Sequence, residues 1–145
     1  MPHLTLPLSP VGCALEVYIG ISEPRRAVLL AAGLAIPNVI QSRLILDTGA
    51  TTTLIDESVL KSLGLTPTGT AQILTPSTGG TAITCPMYDV FLGINHPNHA
   101  LSLGTIPVIG SDFTGQGIQG LVGCDVLKGC LLIYDGVSAT FTLAF

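Results

Sequence analysis

The sequence predicts an all-β domain carrying one or two short helices, and three observations predict it. Short apolar runs rich in Val, Ile, Leu and Thr recur along the chain with few long helical periodicities between them. Glycine-bearing turn signals, Pro76-Ser77-Thr78-Gly79-Gly80 and Asp135-Gly136, separate runs of that kind in hairpin fashion. A length of 145 residues suits one domain with a single core.

Taken in order, Leu4 to Leu8 alternates, but its prolines suit an edge or extended arm. Ala14 to Ile21 reads as a strand with Leu15, Val17 and Ile19 on one face. Ser22-Glu23-Pro24 then opens a helix: Ser22 caps, Glu23 is an acid in the first turn and Pro24 stands near the first helical position. Arg25 to Ala32 continues it, Gly33 stops it and Pro37 lies beyond; a strand over Ala27 to Leu30 is the alternative. Val39 to Leu46 is the next strand. Thr51 to Ile55 is strand-like, and Asp56 to Leu63 is a short helix with Asp56 as N-cap and Gly64 as left-handed stop.

Thr70 to Pro86 reads as a hairpin in which Ala71 to Thr75 rises, Pro76 to Gly80 turns and Thr81 to Cys85 returns. Met87 to Leu92 is another strand, followed by an irregular loop from Gly93 to Ala100. Leu101 to Ile109 is strand-like, and Ser111 to Gln119 is a polar, glycine-rich connection. The tail, Cys130 to Phe145, splits at Tyr134-Asp135-Gly136-Val137 into two apolar strands.

One stretch carries chemistry. Leu44-Ile45-Leu46 fits a strand buried on both faces, and it ends in Asp47-Thr48-Gly49-Ala50. A carboxylate there is costly to ionise unless something donates to it. Thr48 can hydrogen-bond locally, and Gly49 turns the backbone and offers an amide with no side chain in the way of a ligand. The result is a held, accessible acid.

Asp47-Thr48-Gly49 resembles the active-site motif of aspartic proteases, and the form ending in Ala50 resembles the retroviral type. Gly120-Leu121-Val122-Gly123-Cys124-Asp125-Val126-Leu127 is similar to that family's second signature, two apolar residues and a glycine followed by a short helix. The landmarks Asp47 and Gly123 lie 76 positions apart with the hairpin between them, which is the family's order; the resemblance covers Leu15 to Phe145.

The resemblance implies a closed barrel-like retropepsin (acid protease) fold, mostly antiparallel, with a flap hairpin at Thr70 to Pro86. It implies that residues 1–145 form one retropepsin-like aspartic protease domain, half of a homodimeric enzyme, because one Asp-Thr-Gly supplies one carboxylate and pepsin-like chains carry two. Asp47, Thr48 and Gly49 become the catalytic residues, and Ala50, Thr75, Ser77, Thr78, Gly79, Gly80, Leu121 and Val122 the substrate-binding ones. Peptide or protein is the substrate, bound extended, with no metal and no cofactor. Terminal strands of two subunits would build the dimer sheet. Ala50 lacks the serine hydroxyl that would bond the ionised carboxylate, which implies an activity optimum less acidic than pepsin's. The Arg25 to Ala32 helix is an insertion relative to the compact retroviral enzymes. Thr51 and Cys124 occupy places where those enzymes carry a paired acid and arginine, and Asp125 is expected to cap the short helix.

Composition narrows the remaining choices. With 48% apolar and 10% charged residues, the chain is lean for a monomer's surface, and a dimer interface plus an apolar cleft would absorb the excess. A formal charge of −4 with five Lys and Arg excludes a basic patch, so nucleic acid is not expected as partner. Met1 to Pro10 lacks a positive n-region, and Ala27 to Ile36, the longest apolar run, is too short for a membrane span; no membrane partner is expected. Cys13, Cys85, Cys124 and Cys130 are expected reduced and buried, with a Cys124 to Cys130 bridge as the alternative, and the cytoplasm is the expected compartment. His96 and His99 flank Pro97 in what reads as a solvated turn, and Asp56, Asp89, Asp112 and Asp135 as caps, turns or surface. The alternative function is a catalytically silent dimer that binds peptides or serves as an assembly module on the same fold.

Overall fold

Alternation of inward apolar residues closes the chain on itself. In a computed structural model, which describes residues 1–76, 79–98 and 100–145, strand β1 (His3–Pro7) is followed by β2 (Ala14–Ile21), whose Leu15, Val17 and Ile19 are at most 1% exposed. Helix α1 (Glu23–Ala31) leads to β3 (Ile40–Leu46), β4 (Leu54–Asp56) and helix α2 (Glu57–Ser62). Then come β5 (Gly69–Ile73), the long β6 (Ile83–Asn95) and β7 (Ala100–Ser111), β8 (Gly120–Val122), helix α3 (Cys124–Leu127), β9 (Leu131–Asp135) and β10 (Thr140–Ala144).

One sheet runs β2-β3-β8-β4-β7-β6-β5, and β2 also pairs with β6 through Val17↔Ile94 to Ile21↔Val90. That pairing closes six strands into a barrel and leaves β5 outside the ring, hydrogen-bonded among the described residues to β6 alone. β8 pairs in parallel with β3 and antiparallel with β4, so this short strand stitches the two halves of the ring. A second sheet, β1-β10-β9, lies apart from the ring, and Leu4, Phe141 and Leu143 from it join the same core as Leu44, Ile55, Leu60, Val90 and Val108. The fold is all-β with a closed barrel, as the sequence predicts.

Both predicted helix starts and stops are present. Ser22 Oγ accepts the Arg25 N–H, and Gly33 and Leu34 donate to the Leu30 and Leu29 carbonyls in the paired pattern that a left-handed residue after a helix allows. Asp56 caps α2, and Gly64 and Leu65 repeat the same ending on Lys61 and Leu60. The strand alternative for Ala27 to Leu30 does not form. The region carries three helices among the described residues, the third being the single turn α3.

Several boundaries move for physical reasons. The strand expected from Thr51 contracts to Leu54–Asp56, because the carbonyls of Ala50 and Thr51 accept from Cys124 and Asp125 and the Thr53 amide is taken by the Asp125 side chain. Pro86 does not end a strand: the returning arm and Met87 to Leu92 fuse into β6, with Pro86 opposite Thr70 on the β5 side. The loop expected over Gly93 to Ala100 loses Gly93 to Asn95 and Ala100 to the strands, as β6 and β7 stay paired to Asn95↔Ala100 across a bulge at Leu92/Gly93. The Asp135-Gly136 pair is not the centre of a two-residue turn. Asp135 still pairs with Thr140, its side chain accepts from Val137 and Ser138, and Ala139 takes the positive φ. All four cysteines are free, but only Cys13 is buried; Cys85 and Cys130 are half-buried and Cys124 is exposed, so burial and the Cys124 to Cys130 bridge both fail as expectations.

Candidate active site

Asp47 owes its position to where β3 runs out. Leu44, Ile45 and Leu46 pair in parallel with Gly120, Leu121 and Val122, and the next amide, that of Asp47, donates to the Val122 carbonyl at 2.9 Å. The chain then turns: Ala50 N–H donates to the Asp47 carbonyl at 3.2 Å, and Gly49 N–H donates to Asp47 Oδ1 at 2.8 Å. An added Cβ at Gly49 would stand 3.1 Å from that same oxygen, tighter than a side chain normally sits, so glycine keeps one carboxylate edge clear. Asp47 is thus held by one backbone amide and left half-exposed.

The segment after the turn is clamped to the second signature. Thr53, fully buried, donates its hydroxyl to Asp125 Oδ1 at 2.8 Å and its amide to Oδ2 at 3.0 Å, while its Oγ1 accepts the Gly123 N–H at 3.1 Å. Asp125 therefore does not cap α3. Gly123 is the N-cap, without a side-chain bond, and Asp125 reaches across to the 50–53 loop, with its own Oδ1 also accepting Val126 N–H at 2.9 Å. Gly120 and Gly123 permit the close approach: a Cβ would meet the Leu54 carbonyl oxygen at 2.2 Å and the Thr52 carbonyl carbon at 2.6 Å, respectively. Cys124 Sγ–H donates to the Thr48 carbonyl at 3.3 Å, tying the exposed turn to α3 as well.

A cleft of about 490 Å³ opens over Asp47. Gly49, Ala50, Thr51 and Thr52 form its floor, β5 and the chain after it (Ala71 to Pro76) form a wall, and Leu54, Ile109 and Leu121 complete it. Of the residues the sequence pointed to, Asp47, Gly49, Ala50, Thr75 and Leu121 line this space. Thr48 is exposed at the turn outside the lining. Val122 is 3% exposed and faces the core, contributing its carbonyl to Asp47 and not a side chain to the cleft. Gly79 and Gly80 are exposed with positive φ and lie outside the lining; Ser77 and Thr78 lie outside the described residues.

These features match a known family. A model of the family described as aspartyl protease matches residues 36–126, more than half the chain. The chain belongs to the aspartyl protease family. A search of curated proteins returns no match for it. Among solved structures, this family member resembles a retropepsin-like aspartic protease from Rickettsia conorii, with a TM-score of 0.57 at 11% identity over 99% of this chain and 91% of that one. It also resembles an aspartic proteinase from Irpex lacteus, with a TM-score of 0.57 at 14% identity, over 99% of this chain but 47% of that one. The fold is retropepsin-like, and the chain spans about half the length of the second enzyme.

Sequence reasoning missed Thr51, Thr52, Leu54, Ala71, Gln72, Ile73, Leu74, Pro76 and Ile109 as lining of this cleft. Period-two alternation identifies a face of β5 but not which neighbour that face meets, so only the ring closure brings Ile109 of β7 beside Leu54 of β4. No three His, Cys, Asp or Glu side chains gather as metal ligands among the described residues. His96 Nε2 bonds the His3 carbonyl at 2.9 Å and its Nδ1 accepts Asn98 N–H, while His99 lies outside the described residues.

Proposed function

We propose that this family member is an aspartic endopeptidase in which two copies of the chain each supply Asp47. The observation that carries the reading is the placement of Asp47 at the cleft floor, oriented by the Gly49 amide, as the one acid among the described residues that line the space. A second carboxylate then comes from a second copy. Two carboxylates side by side hold one proton between them. The ionised one takes a proton from a water lodged between them, and that water attacks the peptide carbonyl carbon. The protonated one donates a hydrogen bond to the developing oxyanion and its proton passes to the leaving amine.

Residues 1–145 act as one such domain. Thr48, exposed beside Asp47, is suited to bond across the twofold axis, and β9 offers an edge for the dimer sheet. Substrate lies extended between the floor and the Thr70 to Pro86 hairpin, which acts as the flap, adding a strand. Ala50, Thr75, Ser77, Thr78, Gly79, Gly80 and Leu121 are the contacts proposed for it. Apart from Asp47 the described lining carries no charged side chain, which favours apolar and small polar substrate residues. Four free thiols support a reducing, cytoplasmic setting.

The test is cleavage of a diverse peptide mixture between about pH 3 and 8, where carboxylates change protonation, read by mass spectrometry beside Asp47→Asn. Cleavage by the wild type, reduced at least about 10²-fold to 10⁴-fold in the variant, supports the reading. Equal cleavage by both overturns the role of Asp47, and no cleavage by either, from protein shown to be dimeric, overturns the reading in favour of a silent peptide-binding dimer.

A further inference from the structure

Alternation gives every strand of the ring an inward and an outward face. On β3, Leu44 and Leu46 go to the core, so Ile45 looks outward, and Asp47 follows on that same side. Register then carries the outward face from strand to strand. Ile45 stands opposite Leu121, Leu121 opposite Leu54, Leu54 opposite Ile109 and Ile109 opposite Met87, and residues directly opposite each other share a face. Five aliphatic side chains thus make one row across the outside of the barrel, beside Asp47.

An apolar row on an outer face is unlike the rest of that surface. Other outward positions on the same strands include the exposed Gln41, Arg43, Asp89 and Thr105, whereas Ile109 is 6% exposed and the other four members of the row are half-buried. Leu121, Leu54 and Ile109, the middle of the row, line the cleft with Ala50 and Thr52. On the wall formed by β5, Ala71, Ile73 and Thr75 are half-buried while Gln72 and Leu74 are exposed, so the Ile73 face is turned toward the row. No side chain of the row offers a hydrogen-bond donor or acceptor. A charged or amide-bearing side chain seated on it would lose its water without gaining a partner, and a glycine or alanine would leave most of the shelf uncovered.

We propose that Leu121, Leu54 and Ile109 form a subsite for a branched aliphatic side chain, Val, Ile or Leu, of the bound peptide, and that Leu54 determines this preference. The inference rests on the reading of the cleft as a peptide-binding site and names the class of residue that it takes. Leu54 stands between both of its neighbours in the row, on the short strand β4, so its size fixes how deep a side chain can seat. Shortening it opens the centre of the shelf to an aromatic ring. One methylene more or less in an apolar pocket changes discrimination by about tenfold or more.

The test is cleavage of a randomised synthetic peptide mixture by the full chain, with the sequence around each cut read by mass spectrometry. Wild-type protein favours Val, Ile or Leu over Asp, Glu, Lys and Arg by about tenfold or more at one fixed distance from the cut. Leu54→Ala moves the preference at that position, and at no other, toward Phe and Tyr by about tenfold. Leu54→Gln keeps the length of the side chain, lowers the aliphatic preference there by a similar factor, and serves if the alanine variant does not fold. Cleavage without an aliphatic preference at any position, or with one that a folded Leu54 variant leaves unchanged, overturns the subsite and leaves the endopeptidase reading standing. If the wild type cleaves nothing, the endopeptidase reading falls and the peptides that the protein retains from the same mixture decide the subsite. Aliphatic enrichment among them that Leu54→Gln removes supports it; no retention, or retention without that enrichment, overturns it.

Discussion

Thr53 holds Asp125 with both of its donors, the hydroxyl on Oδ1 at 2.8 Å and the amide on Oδ2 at 3.0 Å, across 72 positions of sequence. The same hydroxyl oxygen accepts the Gly123 amide, so one buried threonine joins the loop after Asp47 to the start of α3. Thr53→Val keeps the shape and removes the hydroxyl, leaving a buried amide and a carboxylate oxygen short of partners. The expected loss is about 1–3 kcal/mol in urea denaturation, with Asp125→Ala costing a similar amount and the double variant less than the sum. Additive costs would show that the two residues do not act on each other.

Asp56 gives the fold an acid-side dependence. Burial pushes its carboxyl up, but the Ser58 hydroxyl, the Phe113 and Ser58 amides and nearby Lys61 outweigh that, and the group ends below the usual carboxylate range. A lowered value in the folded state means that the stabilisation is complete above the unfolded value of about 3.9 and is lost as pH falls through the folded one. Asp56→Asn is expected to lose about 1–2 kcal/mol at neutral pH. The gap to wild type should then narrow on acidification below about pH 4, read from denaturation midpoints at both pH values. A gap that stays constant would place the effect of Asp56 in shape alone.

The β9 edge is the expected seam of the proposed dimer. Leu131 and Ile133 alternate on this strand at 53% and 50% exposure, and β9 is the last strand of its sheet among the described residues. Ile133→Lys introduces a charge of the kind that blunts edges. It should weaken self-association by about tenfold or more in sedimentation equilibrium. Peptidase activity should fall with it and recover at high protein concentration. Unchanged sedimentation would move the interface elsewhere.

Gly120 is needed for closeness. Because an added Cβ would lie 2.2 Å from the Leu54 carbonyl oxygen, Gly120→Ala must separate β8 from β4 at the point where β8 joins the two halves of the ring. A destabilisation of about 1–3 kcal/mol or more is expected in thermal unfolding. Gly33→Ala meets no atom within 4 Å and suffers only from its positive φ, so it should cost about 1 kcal/mol and serves as the comparison.

Local rules made much of this chain legible. The bounds of Ala14–Ile21, the caps at Ser22 and Asp56 and the stops at Gly33 and Gly64 follow from alternation, hydroxyl or carboxylate acceptors and left-handed glycines, all of which act within a few residues. The Leu44 to Ala50 stretch was readable for the same reason, since an acid ending a buried run needs a donor and Gly49 supplies it at 2.8 Å. Contacts between distant segments were not readable. Asp125 looked like a cap because a cap is the nearest use for an acid at a helix start, and it became a clamp because ring closure brings the Thr53 donors to it. Val122 turned inward and Ile109 turned into the cleft by the register of β8 and β7, which sequence alternation leaves undetermined by one residue.

The sequence by itself determined the strand-rich character, the helix boundaries and the held acid at Asp47, because each rests on interactions a few residues long. Only the tertiary structure decided that six strands close into a barrel through β2 and β6, that Thr53 and Asp125 lock the two signatures together, and that Leu121, Leu54 and Ile109 meet in one row. The physical reason is range: a hydrogen bond between neighbours is written in their order along the chain, whereas burial depends on which surface arrives opposite, and that is set by the whole ring at once.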